Sequence, residues 1–272
     1  MRAIFILCCG ALLLIGFANR ILATQVAVHY QEGVTHGYLA LREPNGRLLA
    51  DGENSQVASG KSVTSRLVFH FKDRSLYDDT TTYSDRGEFR LMSDHSIEKG
   101  PSFKTQLETY INATTGEVSV HYVDKGKQKF IRKKMKLPAD LSNGLLYIIV
   151  KNIAPSPSTT VSYLAFDPEP KLVKLTFTRS GEQKFVTDAT AHQAIHYVMK
   201  VEIGGITGVV AAVLKKLPPP TQFWLLDGNP PTFAGSEGPL YGSGPVWRID
   251  LVSPTRPATA SKPSGAHNDS GH

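Results

Sequence analysis

The feature that most restricts this chain's fold is a rhythm. From Gln25 to Leu137, β-branched and aromatic runs are broken by polar turn clusters roughly every ten residues, the spacing of successive short strands. VTHGYLALR leads into Pro44, Asn45 and Gly46, residues that favour a reversal, and GRLLADGENSQVASG follows. SVTSRLVFHF ends at Lys72-Asp73-Arg74-Ser75. SLYDDTTTY and EFRLMSDHSIE are separated by Ser84-Asp85-Arg86-Gly87, and QLETYINA and EVSVHYV flank Thr114-Thr115-Gly116, a hairpin signal. Parallel neighbours need a long crossover between strands. None is present in this stretch, so the rhythm predicts an antiparallel meander.

One segment breaks the pattern. In LPADLSNGLLYIIVKNIAPSP, Leu141, Leu145, Ile148, Ile149 and Ile153 fall on one helical face. Asp140 is placed to cap the start, Lys151 lies near the negative end, and Pro155 stops continuation. The spacing predicts a helix over about 140–153. Strands then resume: TTVSYLAF and KLVKLTFTR flank Asp167-Pro168-Glu169-Pro170, and AIHYVMKVEI alternates cleanly, with Ile195, Tyr197, Met199, Val201 and Ile203 on one face. Residues 205–217 read equally as strand or short helix. QFWLLDG and PVWRIDLV read as closing strands joined by a Gly/Pro-rich loop, NPPTFAGSEGPLYGSGP. Residues 254–272, rich in Pro, Ser, Ala and Gly, lack any apolar face and read as a disordered tail.

The first residues have a different character. Arg2 followed by the apolar run Ala3–Ile15 and then small residues is the layout of a secretory signal peptide, with cleavage expected after Ala23 or Ala18. The run is shorter than the ~20 residues that span a bilayer, so the mature protein is expected not to be transmembrane. Both cysteines, Cys8 and Cys9, lie in this leader, so residues 24–253 must fold as one large β domain without a disulfide. The expected location is periplasmic or extracellular. Two of the 30 basic residues lie in the leader, leaving a modest excess over 24 acidic ones and arguing against nucleic acid as partner.

No motif assigns chemistry. Gly60-Lys61-Ser62 resembles the end of a phosphate loop, but Ser55 stands where the earlier glycine belongs, and a strand follows. His192 and His196, on a strand, sit roughly 13 Å apart and do not share a metal ion; no metal or cofactor is expected. Asp78 and Asp79 lie mid-strand with side chains on opposite faces. Glu237, in the Gly-rich loop, is the most enzyme-like single residue, although no catalytic residue is assigned. The basic run Lys125, Lys127, Lys129, Arg132, Lys133, Lys134 and Lys136 is either an edge strand protected by charge or a contact for an anionic envelope surface.

These features predict a large curved antiparallel sheet, or incomplete β-barrel, with one or two short helices covering or plugging its concave face. In this the chain resembles the lipoprotein-localisation chaperones of the bacterial envelope and related exported half-barrel proteins. The resemblance spans about Gln25 to Val252 and rests on the strand order and the 140–153 helix. It implies an apolar concavity that accepts lipid-like molecules, although this chain is longer and has no lipid-attachment cysteine in its mature part. The residues expected to line a ligand are Leu145, Ile148 and Ile149 of the helix and Phe223, Trp224 and Trp247 of the closing strands. Non-catalytic binding of a hydrophobic or amphiphilic ligand is the leading expectation. An enzyme assembled from separate strands, or a structural or adhesive envelope protein, are the alternatives.

Overall fold

Alternation decides the architecture, because a strand that buries every second residue must lie with one face on a core. In the segment Leu76–Arg86, Tyr77, Asp79, Thr81, Tyr83 and Asp85 are all buried and the residues between them are not. The computed structural model describes residues 25–153, 158–187, 190–202, 217–242 and 244–252. The expected signal peptide, the 205–217 alternatives save Leu217, and the expected C-terminal tail lie outside these residues.

The first eight strands are β1 (Thr35–Arg42), β2 (Leu48–Ser59), β3 (Ser62–Phe71), β4 (Leu76–Arg86), β5 (Glu88–Lys99), β6 (Leu107–Asn112), β7 (Glu117–Asp124) and β8 (Lys127–Lys134). After the helix α1 (Leu146–Asn152) come β9 (Ser158–Asp167), β10 (Glu169–Thr187), β11 (Thr190–Glu202), β12 (Thr221–Leu226), β13 (Thr232–Pro239) and β14 (Val246–Val252). They form one antiparallel sheet in the order β8-β7-β6-β5-β4-β3-β2-β1-β14-β13-β12-β11-β10-β9. β1 and β14 pair at its centre, so the two halves of the chain are joined by the pairing of its first and last strands. The sheet is strongly curved and does not close: it is a half-barrel, as the strand rhythm predicts.

The main core fills the concave side. Ile148, Ile149 and Val150 of α1 pack with Val63, Tyr83, Leu91, Ile111 and Val118 from one half of the sheet and Val161, Leu164, Phe177, Tyr197 and Phe223 from the other. A second cluster, with Leu41, Phe69, Phe71, Phe103, Trp247 and Ile249, closes one end. Residues 25–32 strap the other end. Val26 is bonded to Phe89, the Asn152 side-chain oxygen accepts from the backbone N–H groups of His29 and Tyr30, and Lys151 lies 2.7 Å from Glu32.

The helix is shorter than its sequence predicts. Leu141, Leu145, Ile148, Ile149 and Ile153 are all buried, but residues 140–145 run along the free edge of β9 instead of forming helical turns. The expected cap residue explains why. Both Asp140 carboxylate oxygens are bonded to Ser162, accepting from its N–H and its hydroxyl. Asn143 offers its side-chain amide to Leu164 like a strand partner, accepting from the N–H at 2.9 Å and donating to the carbonyl at 3.0 Å. These bonds satisfy an edge that would otherwise expose unpaired groups. Gly144 then turns the chain at φ +66° before α1 begins.

Two further readings change. The Gly/Pro-rich stretch expected as a loop contains β13, paired on both sides. Its glycines are needed there: a side chain at Gly235 would strike Phe185, and one at Gly238 would strike Thr221. β10 continues past the run KLVKLTFTR to Thr187, through a bulge between Arg179 and Gly181 that reverses which residues face the core. Among the described residues there is one helix, and no helix is long and apolar enough to cross a membrane.

Candidate functional site in the half-barrel interior

The interior has an apolar side and a polar side. Ile148, Met199, Phe223, Trp247 and Ile249 face a cavity of about 80 Å³ whose other wall is Asn54, Ser65, Tyr77, Asp79, Thr81 and Tyr163. A second cavity of about 60 Å³ lies beside it, lined by Asp94, Glu98, Thr109 and Asn143. Tyr77, Asp79, Gly144 and Tyr163 belong to both, so the two spaces meet at Asp79.

The polar wall comes from the pairing of β4 with β5. The register sets Tyr77 opposite Glu98, Asp79 opposite Ser96, and Thr81 opposite Asp94, all on the buried face. Asp79 therefore has a carboxyl on each diagonal. The Asp94 carboxyl beside Asp79 favours a proton on Asp79. Asp94 also accepts from the Thr81 hydroxyl at 2.7 Å. The backbone of Gly144 covers this pair so closely that a Cβ there would overlap the Thr81 hydroxyl and crowd Asp94.

Burial dominates the electrostatics, because a carboxylate moved out of water favours its neutral form. Burial holds Asp79 well above the usual carboxylate range, reinforced by the charge of Asp94 and the bond to it. Asp94 is pushed up to about 6 by burial, against the bonds from Thr81 and Asp79 that pull it down. Glu98 is pushed up to about 7 by burial alone. One oxygen each of Asp79 and Glu98 is buried without a hydrogen-bond partner among the described residues. The Tyr147 hydroxyl, bonded to Ser236, is raised to about 12 by burial, and Tyr77 and Tyr163 are raised as well. Near neutral pH the wall thus combines protonated tyrosines and Asp79 with two carboxyls, Asp94 and Glu98, whose titration burial has moved close to neutrality. It does not form a metal cage: no three histidine, cysteine or acidic side chains converge among the described residues.

The expected ligand-lining residues divide. Leu145, Ile148 and Ile149 are fully buried in the interior core, and Ile148 borders the first cavity, as do Phe223 and Trp247. Trp224 does not. It follows Phe223 on a strand and so points to the opposite face, where it packs with Phe185 and stacks on His196 at 5.3 Å. His196 is buried on that outer face and holds Gln222; burial lowers its pKa. Glu237 lies in β13 beside Ser236, which lines the cavity, and therefore also points away from it. Gly60-Lys61-Ser62 spans the β2–β3 hairpin turn. Five of the seven basic residues, from Lys127 to Lys134, lie on β8, a terminal strand of the sheet. Within that run Lys129 pairs with Asp124 and Lys133 with Glu169.

The carboxyl cluster is missed from the sequence because Asp79 is about fifteen to twenty residues from Asp94 and Glu98, a separation that only a strand register can convert into contact. The available signal is the alternation around Asp79, which places a carboxyl among Tyr77, Thr81 and Tyr83 on the core face. Compared with known protein families, curated proteins and solved structures, the chain matches none.

Proposed function

We propose that this is an exported, non-catalytic binding protein of the cell envelope, and that its half-barrel interior takes up a small hydrophobic or amphiphilic molecule. One observation carries the reading: the interior holds a cavity with an apolar wall from α1, β11, β12 and β14 and a polar wall from β2, β3 and β4. Protein interiors normally pack without such voids, and a small-molecule site combines apolar lining with a few placed polar groups. A single water needs roughly 10–15 Å³ of such space, so the cavity holds several waters or a small organic molecule as it stands. A longer chain requires displacement of α1. That helix has seven residues and is preceded by the left-handed turn at Gly144, so it is a short element to move. The leader Arg2–Ala23 supports export.

The test is saturable binding of an apolar fluorophore by the purified protein, repeated on Ser65→Leu, which places a larger side chain in the cavity wall. Binding by the wild type, weakened in the variant, supports interior uptake. No binding by the wild type, or equal binding by both, contradicts it.

A further inference from the structure

We infer that the polar end of the interior ligand is a protonated amine, received by the unpartnered carboxyl oxygen of Asp79. This rests on the reading of the interior as a binding cavity and specifies the chemistry of what enters. Asp79 is 9 % exposed, its Oδ1 makes no hydrogen bond among the described residues, and it lies where the two cavities meet. Glu98 presents a second unpartnered oxygen to the smaller cavity. A buried polar atom left unbonded is unfavourable, so a donor that reached it would be stabilised there.

The surroundings select the donor. None of the described residues lining either cavity is Lys, Arg or His, so the three carboxyls have no resident cation. An anionic ligand would meet the carboxyls with no positive charge to offset them. A metal ion needs several converging ligands, which the carboxyls, spread along one strand pair, do not supply. An ammonium needs only one carboxylate contact and is further favoured by aromatic ring faces. Tyr77, Tyr147 and Tyr163 line the same space, and Ile148, Met199 and Phe223 leave room for an apolar substituent.

Binding is coupled to protons. An ammonium favours the ionised form of Asp79, so the proton that burial keeps on this carboxyl is released when the ligand enters. The titratable groups facing Asp79 are Asp94 and Glu98 from β5, Tyr77 from β4, Tyr147 from α1 and Tyr163 from β9; Asp78 acts through the sheet from the other face. With burial raising all three interior carboxyls, affinity for an amine increases as pH rises from mildly acidic to mildly alkaline.

Protein-observed NMR titrations with n-butylamine, n-butanol and butanoate decide the matter, since the three share one apolar body. The expected result is binding of the amine more tightly than the alcohol, no binding of butanoate, and an amine Kd that falls with rising pH while that of the alcohol stays flat. Asp79→Asn should weaken the amine about tenfold to a hundredfold, the worth of a charge-assisted hydrogen bond, and leave the alcohol unchanged. Equal affinity for amine and alcohol with a flat pH dependence in the wild type would overturn the inference without any variant, and would leave interior uptake standing. No binding of any of the three would overturn both.

Discussion

Replacing Glu98 by Gln tests the electrostatic account of the interior. Glu98 is the penultimate residue of β5, on the concave side, and burial alone raises its pKa from 4.5 to about 7. Glutamine has nearly the same shape but cannot ionise. A group whose folded pKa lies above its unfolded value contributes stability that is complete below the unfolded pKa and is lost as pH rises through the folded one. Wild type should therefore lose stability between about pH 4.5 and somewhat above 7, the span of the shift. At about 1.4 kcal/mol per pKa unit, the loss assignable to Glu98 is about 3 kcal/mol. The variant should equal wild type at the acidic end and exceed it by roughly that amount at the alkaline end. For a domain of this size, 1 kcal/mol moves the midpoint by about 2–4 °C, so the gain is roughly 6–12 °C. Thermal unfolding of both proteins across the range reads it directly. Asp79 and Asp94 add their own losses to both proteins, and because the Glu98 charge also raises Asp79, the difference reports Glu98 together with its influence on that neighbour. Parallel curves for variant and wild type would refute the claim that Glu98 is a buried carboxyl whose titration is raised to near neutrality.

The remaining predictions concern packing and the outer face. Gly144→Ala should cost more than about 2 kcal/mol in urea unfolding, since it combines a left-handed backbone with overlap onto Thr81, whereas Gly46→Ala, left-handed but open to solvent, should cost about 1–2 kcal/mol. Ile148→Ala removes a fully buried side chain and should destabilise by about 2–5 kcal/mol; because it also widens the cavity, apolar-fluorophore affinity should change with it. His196 is held neutral by burial, so stability should fall as pH drops from 6.5 through its lower folded value; His196→Gln should flatten that part of the profile relative to wild type.

Much of the fold was legible because it rests on local chemistry. The turns at Gly46, Gly87 and Gly116 and the strands between them follow from residues a few positions apart. The helix was half legible. Its apolar stripe from Leu141 to Ile153 is buried throughout, but the stripe does not distinguish a helix face from an extended segment that inserts the same side chains. Bonds from Asp140 to Ser162 and from Asn143 to Leu164 made the choice, and neither partner is near in sequence. β13 was hidden by composition, because its glycines are selected by the close approach of Phe185 and Thr221 from other strands. The site was the least legible part. Asp79 could be assigned to a face, but its meeting with Asp94 depends on the β4–β5 register, and Trp224 was misplaced because aromatic clustering ignores the strand's alternation. Phe223 and Trp224 are neighbours in sequence and lie on opposite sides of the sheet.

Native mass spectrometry of the full protein, purified from its source cells under non-denaturing conditions, tests interior uptake most directly. The account predicts a chain that begins after the leader and carries a substoichiometric to stoichiometric adduct of small-molecule mass, lost on acidification and reduced in Asp79→Asn. A protein that still begins at Met1, or that flies free of any adduct and binds none when cell extract is added back, would contradict it.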